Sequence, residues 1–152
     1  MKKSKFTIFK DEIIKRSKDQ GACVEQFRRA VASKNFSQLI TVIKDNFNWA
    51  CIHKIIDVEL IDSIKDDARK CDLWVNETTK TGFLLVSNAT VEAGGNATVK
   101  AGGNATVEAW GNAFISSWKN IECKLSDHAI FRNTETRKIT VLKGKYTIIL
   151  KI

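Results

Sequence analysis

Three nearly identical octads occupy the middle of the chain, beginning at Asn88, Asn96 and Asn104. Each octad reads Asn-Ala-Thr-Val, then Glu or Lys, then Ala, and ends in Gly-Gly or Trp-Gly. Tandem repetition at such a short period is typical of stacked architectures, in which each unit packs mainly on its neighbours. The octads therefore constrain the fold to a repetitive array more strongly than any other feature of the sequence.

Apolar residues fall at every second position of the octads, and polar residues such as Thr90 and Glu92 lie between them. This alternation predicts β-strands with one buried and one exposed face. The same frame continues beyond the perfect copies and, upstream of them, includes Phe83 and Leu85. The residues predicted to point inward are Ala89, Val91, Ala93, Ala97, Val99, Ala101, Ala105, Val107, Ala109, Ala113, Ile115, Ser117, Ile121, Cys123, Leu125, Ala129 and Phe131.

Two architectures fit this pattern. One is a parallel β-solenoid in which two octads make one coil, with a sheet on each side and the asparagines at the corners. The other is an antiparallel meander with three-residue Gly-Gly-Asn turns, which sets Val91 opposite Val99. The small Ala-Val-Ala interior favours the solenoid, because two sheets held close together cover it better than a one-sided meander does.

The regions flanking the array predict an α+β chain in three parts. Residues 1–79 form a small helical head with a basic N-terminal segment, residues 80–136 form the octad array, and residues 137–152 form a C-terminal β-hairpin cap. In the head, Val24, Phe27 and Val31 share one helix face, while Ser37 and Asp57 are candidate N-caps.

The hairpin is predicted to turn at Lys143-Gly144. That turn pairs Val141 with Tyr146 and Ile139 with Ile148.

The octads resemble the Gly-Asn-Ala-Thr-Val-x-Ala repeats of uncharacterised bacterial and bacteriophage proteins, in which the repeats follow a small helical head. The clear match covers residues 88–113. Gly21-Ala22-Cys23 and the segment from Asp45 to Trp49 are similar to the Cys- and Trp-bearing head of that group. The resemblance implies the fold and a bacterial or phage setting, and it implies no reaction.

Charge is the only global indication of function. The chain carries 25 Lys and Arg against 17 Asp and Glu, a formal net charge of +8. A basic surface can bind nucleic acid or a nucleoprotein, although no recognised nucleic-acid motif accompanies it and an ordinary solvated surface is favoured. Glu92, Lys100 and Glu108 are interpreted as charge balancing between neighbouring strands. The candidate basic contacts are Lys2, Lys3, Lys5, Lys15, Arg16, Lys18, Arg28 and Arg29.

Trp110 and Trp118 interrupt the repeat, since both occupy the octad position filled elsewhere by Gly94 and Gly102. Exposed tryptophans at a corner are candidate contacts for a partner protein, because Trp is enriched at binding hot spots. The alternative is that both cover the edge of the array or pack on the head.

Nothing in the sequence indicates catalysis or a bound cofactor. The four cysteines lack Cys-x-x-Cys spacing, so we expect reduced and mostly buried thiols with no metal site. Only two histidines are present, and no phosphate loop or nucleophile motif accompanies them. Lys10 and Asp11 interrupt the apolar stretch near the N-terminus, so no membrane segment is predicted and the expected location is the bacterial cytoplasm.

Together these features predict a non-enzymatic protein-binding module, a phage or mobile-element protein that docks on and inhibits a host or defence complex. Its expected partner is a host protein or nucleoprotein. An alternative is a self-associating scaffold or virion subunit. A third is direct nucleic-acid binding through the basic N-terminus.

Overall fold

A computed structural model describes residues 1–141 and 145–149 of the 152-residue chain. The chain divides into two compact units, Met1–Leu73 and Trp74–Ile152. The first unit is helical and the second is built from β-strands, so the α+β class with a β-solenoid is confirmed.

Hydrogen-bonding side chains start three of the helices. Ser4 accepts from the backbone N–H of Thr7 and so begins α1. Asn35, rather than the predicted Ser37, caps α3 through Gln38, while Asp57 caps α5 as predicted. The helices are α1 (Lys5–Asp19), α2 (Val24–Ala32), α3 (Phe36–Asp45), α4 (Phe47–Ile52), α5 (Val58–Asp62) and α6 (Lys65–Lys70).

The core of the helical unit centres on α3, where Leu39 and Ile40 are fully buried. Helix α2 contributes much less than its sequence predicted. Of its residues only Ala30 is buried, while Val24 and Val31 of the predicted apolar face are exposed. The two ends of the predicted apolar stripe therefore lie outward, and only Phe27 between them is half-buried.

Strands in the second unit alternate between two sheets. The order in one sheet is β1-β2-β4-β6-β8-β9, and in the other it is β10-β7-β5-β3. The strands are β1 (Leu73–Val75), β2 (Phe83–Ser87), β3 (Thr90–Ala93), β4 (Thr98–Gly102), β5 (Thr106–Ala109), β6 (Phe114–Ser117), β7 (Glu122–Leu125), β8 (Ile130–Asn133), β9 (Ile139–Thr140) and β10 (Thr147–Ile149).

The octad strands pair in parallel with the strand two octads further along. Val91 of β3 is in register with Val107 of β5, which is in register with Cys123 of β7. In the other sheet Val99, Ile115 and Phe131 form the corresponding row. This pairing is that of a solenoid, and the meander alternative is wrong.

Interior residues follow the predicted alternation from Val91 to Phe131, and every one of them is buried. Their size grows along the array. Valine and alanine fill the first coils, whereas Leu125 and Phe131 fill the last. The apolar interior between the two sheets therefore forms one continuous core.

The predicted frame is wrong upstream of the octads, in β2. Phe83 is in register with Thr98, so the two strands are offset by 15 residues instead of 16. A shift of one residue reverses the faces of a strand. As a result Leu84 and Val86 enter the solenoid core, and the predicted Phe83 and Leu85 do not.

The predicted C-terminal hairpin is also wrong, because its two arms extend different sheets. Ile139–Thr140 pairs antiparallel with β8, and Thr147–Ile149 pairs antiparallel with β7. Each arm pairs with the edge strand of an existing sheet, which is more stable than an isolated two-stranded hairpin. The predicted Lys143-Gly144 turn and residues 150–152 lie outside the described residues.

Candidate functional site

The corners of the solenoid are built from glycine and asparagine. Gly103 and Gly111 have positive φ angles of 58° and 63°, a backbone conformation that other L-residues rarely adopt. At the first corner the Asn88 side chain accepts a hydrogen bond of 3.0 Å from the backbone N–H of Asn104, one coil later. These bonds join successive coils where the strands end, so the corners hold residues at the seventh octad position in fixed places.

Trp110 occupies one such corner and packs on the preceding coil. Its indole lies where a side chain at Gly94 would otherwise be, and a Cβ added to Gly94 would come within 2.6 Å of the indole Cζ2. The backbone N–H of Trp110 also donates to the carbonyl of Ala93 at 3.0 Å. Trp110 is therefore a structural residue that covers a glycine 16 positions earlier.

Trp118 occupies the corresponding corner above Gly102, but its side chain points elsewhere. No described heavy atom would lie within 4 Å of a Cβ at Gly102, so the indole does not cover it. The Trp118 side chain is 59% exposed, the largest exposed fraction of any tryptophan among the described residues. The two tryptophans share an octad position and differ completely in their surroundings.

The backbone around Trp118 is well anchored. Its carbonyl accepts a bond of 3.1 Å from the N–H of Glu135, and the carbonyl of Ser117 accepts one of 2.8 Å from the N–H of Thr134. Asn133 donates from Nδ2 to Oδ1 of Asn120 at 2.8 Å. A flat apolar ring with one N–H donor is thus presented on a rigid corner, where binding costs little conformational entropy.

Lys119 follows Trp118 and is exposed, with no ion-pair partner within the part of the chain that the structure describes. It adds a positive charge at the position next to Trp118 in the sequence. Lys119 is not among the contacts predicted from the sequence, although it directly follows the tryptophan that interrupts the repeat.

Four of the eight basic candidates in the head form ion pairs within the head. Lys3 bonds Asp11 at 2.7 Å, Lys5 lies 3.6 Å from Asp67, and Arg29 bonds Asp45 at 2.7 Å. The fourth pair is the best connected: Arg16 bonds both Glu12 and Asp57 at 2.6 Å. These four cations stabilise the head and are less available to a partner.

The pKa values of Arg16 and Asp57 reflect their pairing. Burial acts to lower the pKa of Arg16, but hydrogen bonds to Glu12 and Asp57 outweigh it and leave that pKa raised. Burial acts to raise the pKa of Asp57, but the backbone N–H of Leu60 and the Arg16 guanidinium outweigh it and leave that pKa lowered. Both groups are therefore held in their charged forms.

The other four basic candidates, Lys2, Lys15, Lys18 and Arg28, are exposed and form no ion pair with any described residue. They remain candidates for contact with an acidic partner.

The charges on the outer face of the sheet β10-β7-β5-β3 do not alternate as predicted. Glu92 and Glu108 are direct neighbours in register, so two like charges lie side by side. Lys100 lies in the other sheet and cannot separate them. The compensating cation is Lys124 on the next strand, whose Nζ is 3.2 Å from the Glu108 carboxylate. Charge balance therefore follows the 16-residue coil and not the octad.

The cysteines are free thiols with different exposure. Cys123 is buried in the solenoid core, and burial raises the pKa of its thiol to about 12. Cys51 and Cys71 are partly buried, and Cys23 is exposed, so the expectation of mostly buried thiols is wrong for Cys23. Residues 1–141 and 145–149 contain no cluster of three metal-ligating side chains. Across the same residues, no helix is both long enough and apolar enough to cross a membrane.

Comparison of the chain with protein families, with curated proteins and with solved structures finds no match. The assignment of the candidate site therefore depends only on the sequence and geometry of this chain.

Proposed function

We propose that this protein is a non-enzymatic protein-binding module whose main contact residue is Trp118. The observation that carries the proposal is the contrast between two tryptophans at the same octad position. Trp110 covers Gly94, whereas Trp118 leaves Gly102 uncovered and presents its indole to solvent. An exposed tryptophan on a pinned backbone has no structural role that explains it, and such residues frequently dominate binding free energy.

The proposed partner is a bacterial host protein or nucleoprotein complex, which a phage or mobile-element protein would dock on and inhibit. This setting is suggested by the similarity of the octads to repeats in bacterial and bacteriophage proteins. A partner with an acidic surface is favoured by exposed cations that form no ion pair with any described residue, which are Lys119, Lys2, Lys15 and Arg28.

A non-catalytic role agrees with the placement of the two histidines. The His53 ring stacks on Trp49 in the helical unit, with ring centroids 4.7 Å apart. His128 lies at an exposed corner of the solenoid. Within the described residues neither imidazole hydrogen-bonds to a carboxylate, the arrangement that orients a histidine as a general base.

Affinity purification from the bacterial host tests the proposal. We expect one partner or complex to co-purify with the wild type at a fixed stoichiometry. Trp118→Ala should reduce its recovery at least about tenfold, since a tryptophan hot spot contributes roughly 2 kcal/mol or more. Lys119→Ala should reduce it less, because an exposed charge at an interface rim contributes little. Undiminished recovery with Trp118→Ala would refute the site.

Self-association is a second candidate, favoured by exposed apolar residues near the C-terminal end of the array. Ile139, Val141, Tyr146 and Ile148 are all exposed large hydrophobic residues. A scaffold that stacks through this end would be oligomeric at high concentration, and Ile148→Lys would dissociate it. Light scattering during size-exclusion chromatography measures the oligomeric state. A strict monomer at millimolar concentration excludes the scaffold.

Direct nucleic-acid binding is less favoured, because half of the basic candidates are already paired with carboxylates. Such binding should be strongest at low salt and weaken steeply as salt rises. Absence of a gel shift at low ionic strength excludes it.

A further inference from the structure

An apolar pocket of about 240 Å³ lies within the helical unit, between α1, α2, α3 and α4. Leu39, Ile43 and Ile13 line it with carbon, and all three are buried residues of the core. Phe27 and Trp49 also line it, and Cys23 at the start of α2 is exposed to solvent. For scale, an apolar cavity of about 150 Å³ holds benzene. The pocket therefore has room for one large apolar side chain.

Hydrogen bonds fix α2, which forms one side of the pocket, near both of its ends. Lys10 of α1 donates to the carbonyls of Val31 and Ser33, at 2.6 and 2.8 Å, and fixes the C-terminal end of α2. Near the other end, Asn46 donates from Nδ2 to Oε1 of Gln26 at 3.1 Å. These bonds fix both ends of the helix that forms one side of the pocket.

The small Ala30 lines the pocket where a larger residue would fill it. Its buried position on α2 marks the face of that helix that turns inward.

An apolar stripe on α2 extends the surface beyond the pocket. Val24, Phe27 and Val31 are spaced by three and four residues, which places them in one row along the helix. Val24 is 65% exposed and Val31 is 45% exposed, while the half-buried Phe27 lines the pocket. A ligand that filled only the pocket would leave this row in water, whereas a helical polypeptide segment several turns long would cover both.

The charges of this region favour an acidic segment. Residues 1–34, which the structure describes in full, carry ten basic and four acidic side chains. Lys15, Lys18 and Arg28 form no ion pair with any described residue, and Lys18 and Arg28 directly follow the pocket-lining Ser17 and Phe27. Asp19 and Glu25 are the only carboxylates of residues 1–34 outside ion pairs, so cations are in excess.

We propose that the helical head binds an acidic, amphipathic polypeptide segment of a partner protein. One large apolar side chain of that segment enters the pocket, and its flanking apolar residues lie on the row formed by Val24, Phe27 and Val31. Helix-in-groove recognition of this kind uses apolar anchors one helical turn apart. The inference extends the proposed protein-binding function to a second surface and does not depend on Trp118.

Fluorescence anisotropy of labelled probe peptides tests this proposal on the full-length chain. The probe is an amphipathic helix of about 16 residues with Phe and Leu on one face and Glu on the other. Its partner probes have the same apolar residues with Lys in place of Glu, or the same composition scrambled. We expect the acidic probe to bind with a Kd on the order of 10–100 µM, and about tenfold more tightly than either partner probe.

Variants locate the binding. The double variant Val24→Ser with Val31→Ser changes only exposed side chains, so it should fold, and it should weaken the acidic probe about tenfold. Ile8→Ser is the matched control, because Ile8 is an exposed residue of α1 that does not line the pocket. Ala30→Phe should weaken the probe by filling the pocket, and Lys18→Glu with Arg28→Glu should reduce its preference over the Lys probe.

Cys23 gives a direct readout of occupancy. Saturating acidic probe should slow alkylation of Cys23 severalfold and leave alkylation of the partly buried Cys71 unchanged, because Cys71 does not line the pocket.

Three results would overturn the proposal: no binding of the acidic probe, equal binding of all probes, or binding unaffected by the valine double variant. A dimer that the same double variant dissociates would show that a second copy occupies this face instead. Trp118→Ala should leave probe binding intact. Loss of probe binding alone therefore contradicts only this inference, and loss of Trp118-dependent capture alone contradicts only the proposed function.

Discussion

Adding one methyl group at Gly94 tests whether Trp110 is a structural residue. Gly94 has no left-handed backbone angle, so alanine introduces no conformational strain there. The three heavy atoms nearest to the new Cβ would all belong to the Trp110 indole. Gly94→Ala must therefore displace this ring or shift the corner.

The expected loss of stability follows from this contact. Overpacking of a well-packed site costs about 1–3 kcal/mol. Gly102→Ala is the matched control, since Gly102 lies at the same octad position and a Cβ there meets no described atom within 4 Å. Reduced flexibility of the unfolded chain should make that variant neutral or more stable by up to about 1 kcal/mol. The two alanine variants should thus differ by about 1–4 kcal/mol.

Urea unfolding followed by far-ultraviolet circular dichroism measures both variants, because this signal does not depend on tryptophan fluorescence. A double-mutant cycle with Trp110→Ala isolates the contact. Gly94→Ala should be close to neutral once the indole is absent. Equal stabilities for Gly94→Ala and Gly102→Ala, or an undiminished effect of Gly94→Ala in the Trp110→Ala background, would refute the assigned packing.

Three further predictions concern the corners, the head and the thiols. Gly111→Ala should destabilise the chain by about 1–3 kcal/mol, measured by urea unfolding, because Gly111 has a φ of 63° and its Cβ would lie 2.9 Å from the backbone nitrogen of Gly95 at the preceding corner; a neutral result would contradict the stacked corners. Asp57→Ala should cost about 1–2 kcal/mol at neutral pH through loss of an N-cap, and Asp57→Asn, which keeps a capping oxygen, should cost less than about 1 because the ion pair with Arg16 is partly exposed. The pKa of Asp57 is lowered in the folded state, so its charge stabilises the fold above about pH 4, and the difference in unfolding free energy between wild type and Asp57→Asn should shrink as the pH falls below that; a difference that does not shrink at all on acidification would contradict the pairing. Iodoacetamide at neutral pH should modify Cys23 in the native protein and Cys123 only after unfolding, since Cys123 is buried with a thiol pKa of about 12, and mass spectrometry of peptides shows whether that order holds.

The solenoid was predictable because side-chain alternation has a fixed period of two. The odd-numbered strand residues from Val91 to Phe131 must face the same way while the strands stay in frame, and these residues are buried. The frame failed at β2, where Phe83, Leu84, Leu85 and Val86 are all apolar and no alternation marks the inner face. A run of apolar residues leaves the strand register to tertiary packing.

The C-terminal strands and the helix α2 could not be read from local pattern. Ile139 and Ile148 fit a hairpin by turn chemistry, but their strands join sheet edges that only the folded array creates. Val24 and Val31 fit a buried helix face by spacing, but the ties from Lys10 hold α2 with that face outward. Both errors have the same origin, since local spacing identifies a face without identifying what the face contacts.

The candidate site was partly predictable. Once two octads are known to make one coil, the residue below Trp110 is Gly94 and the residue below Trp118 is Gly102. Both neighbours are glycines, so the sequence does not distinguish the surroundings of the two tryptophans. Their side-chain directions differ, and only the structure distinguishes the packed indole from the exposed one.

Partner capture by the Trp118→Ala and Lys119→Ala variants is the most direct test of whether Trp118 is the main contact residue. Wild type, Trp118→Ala and Lys119→Ala are purified from the bacterial host after circular dichroism has shown that each is folded. We expect a partner that co-purifies stoichiometrically with the wild type, is lost with Trp118→Ala and is largely retained with Lys119→Ala. Equal recovery of that partner by folded wild type and Trp118→Ala would contradict the assignment of Trp118 as the main contact.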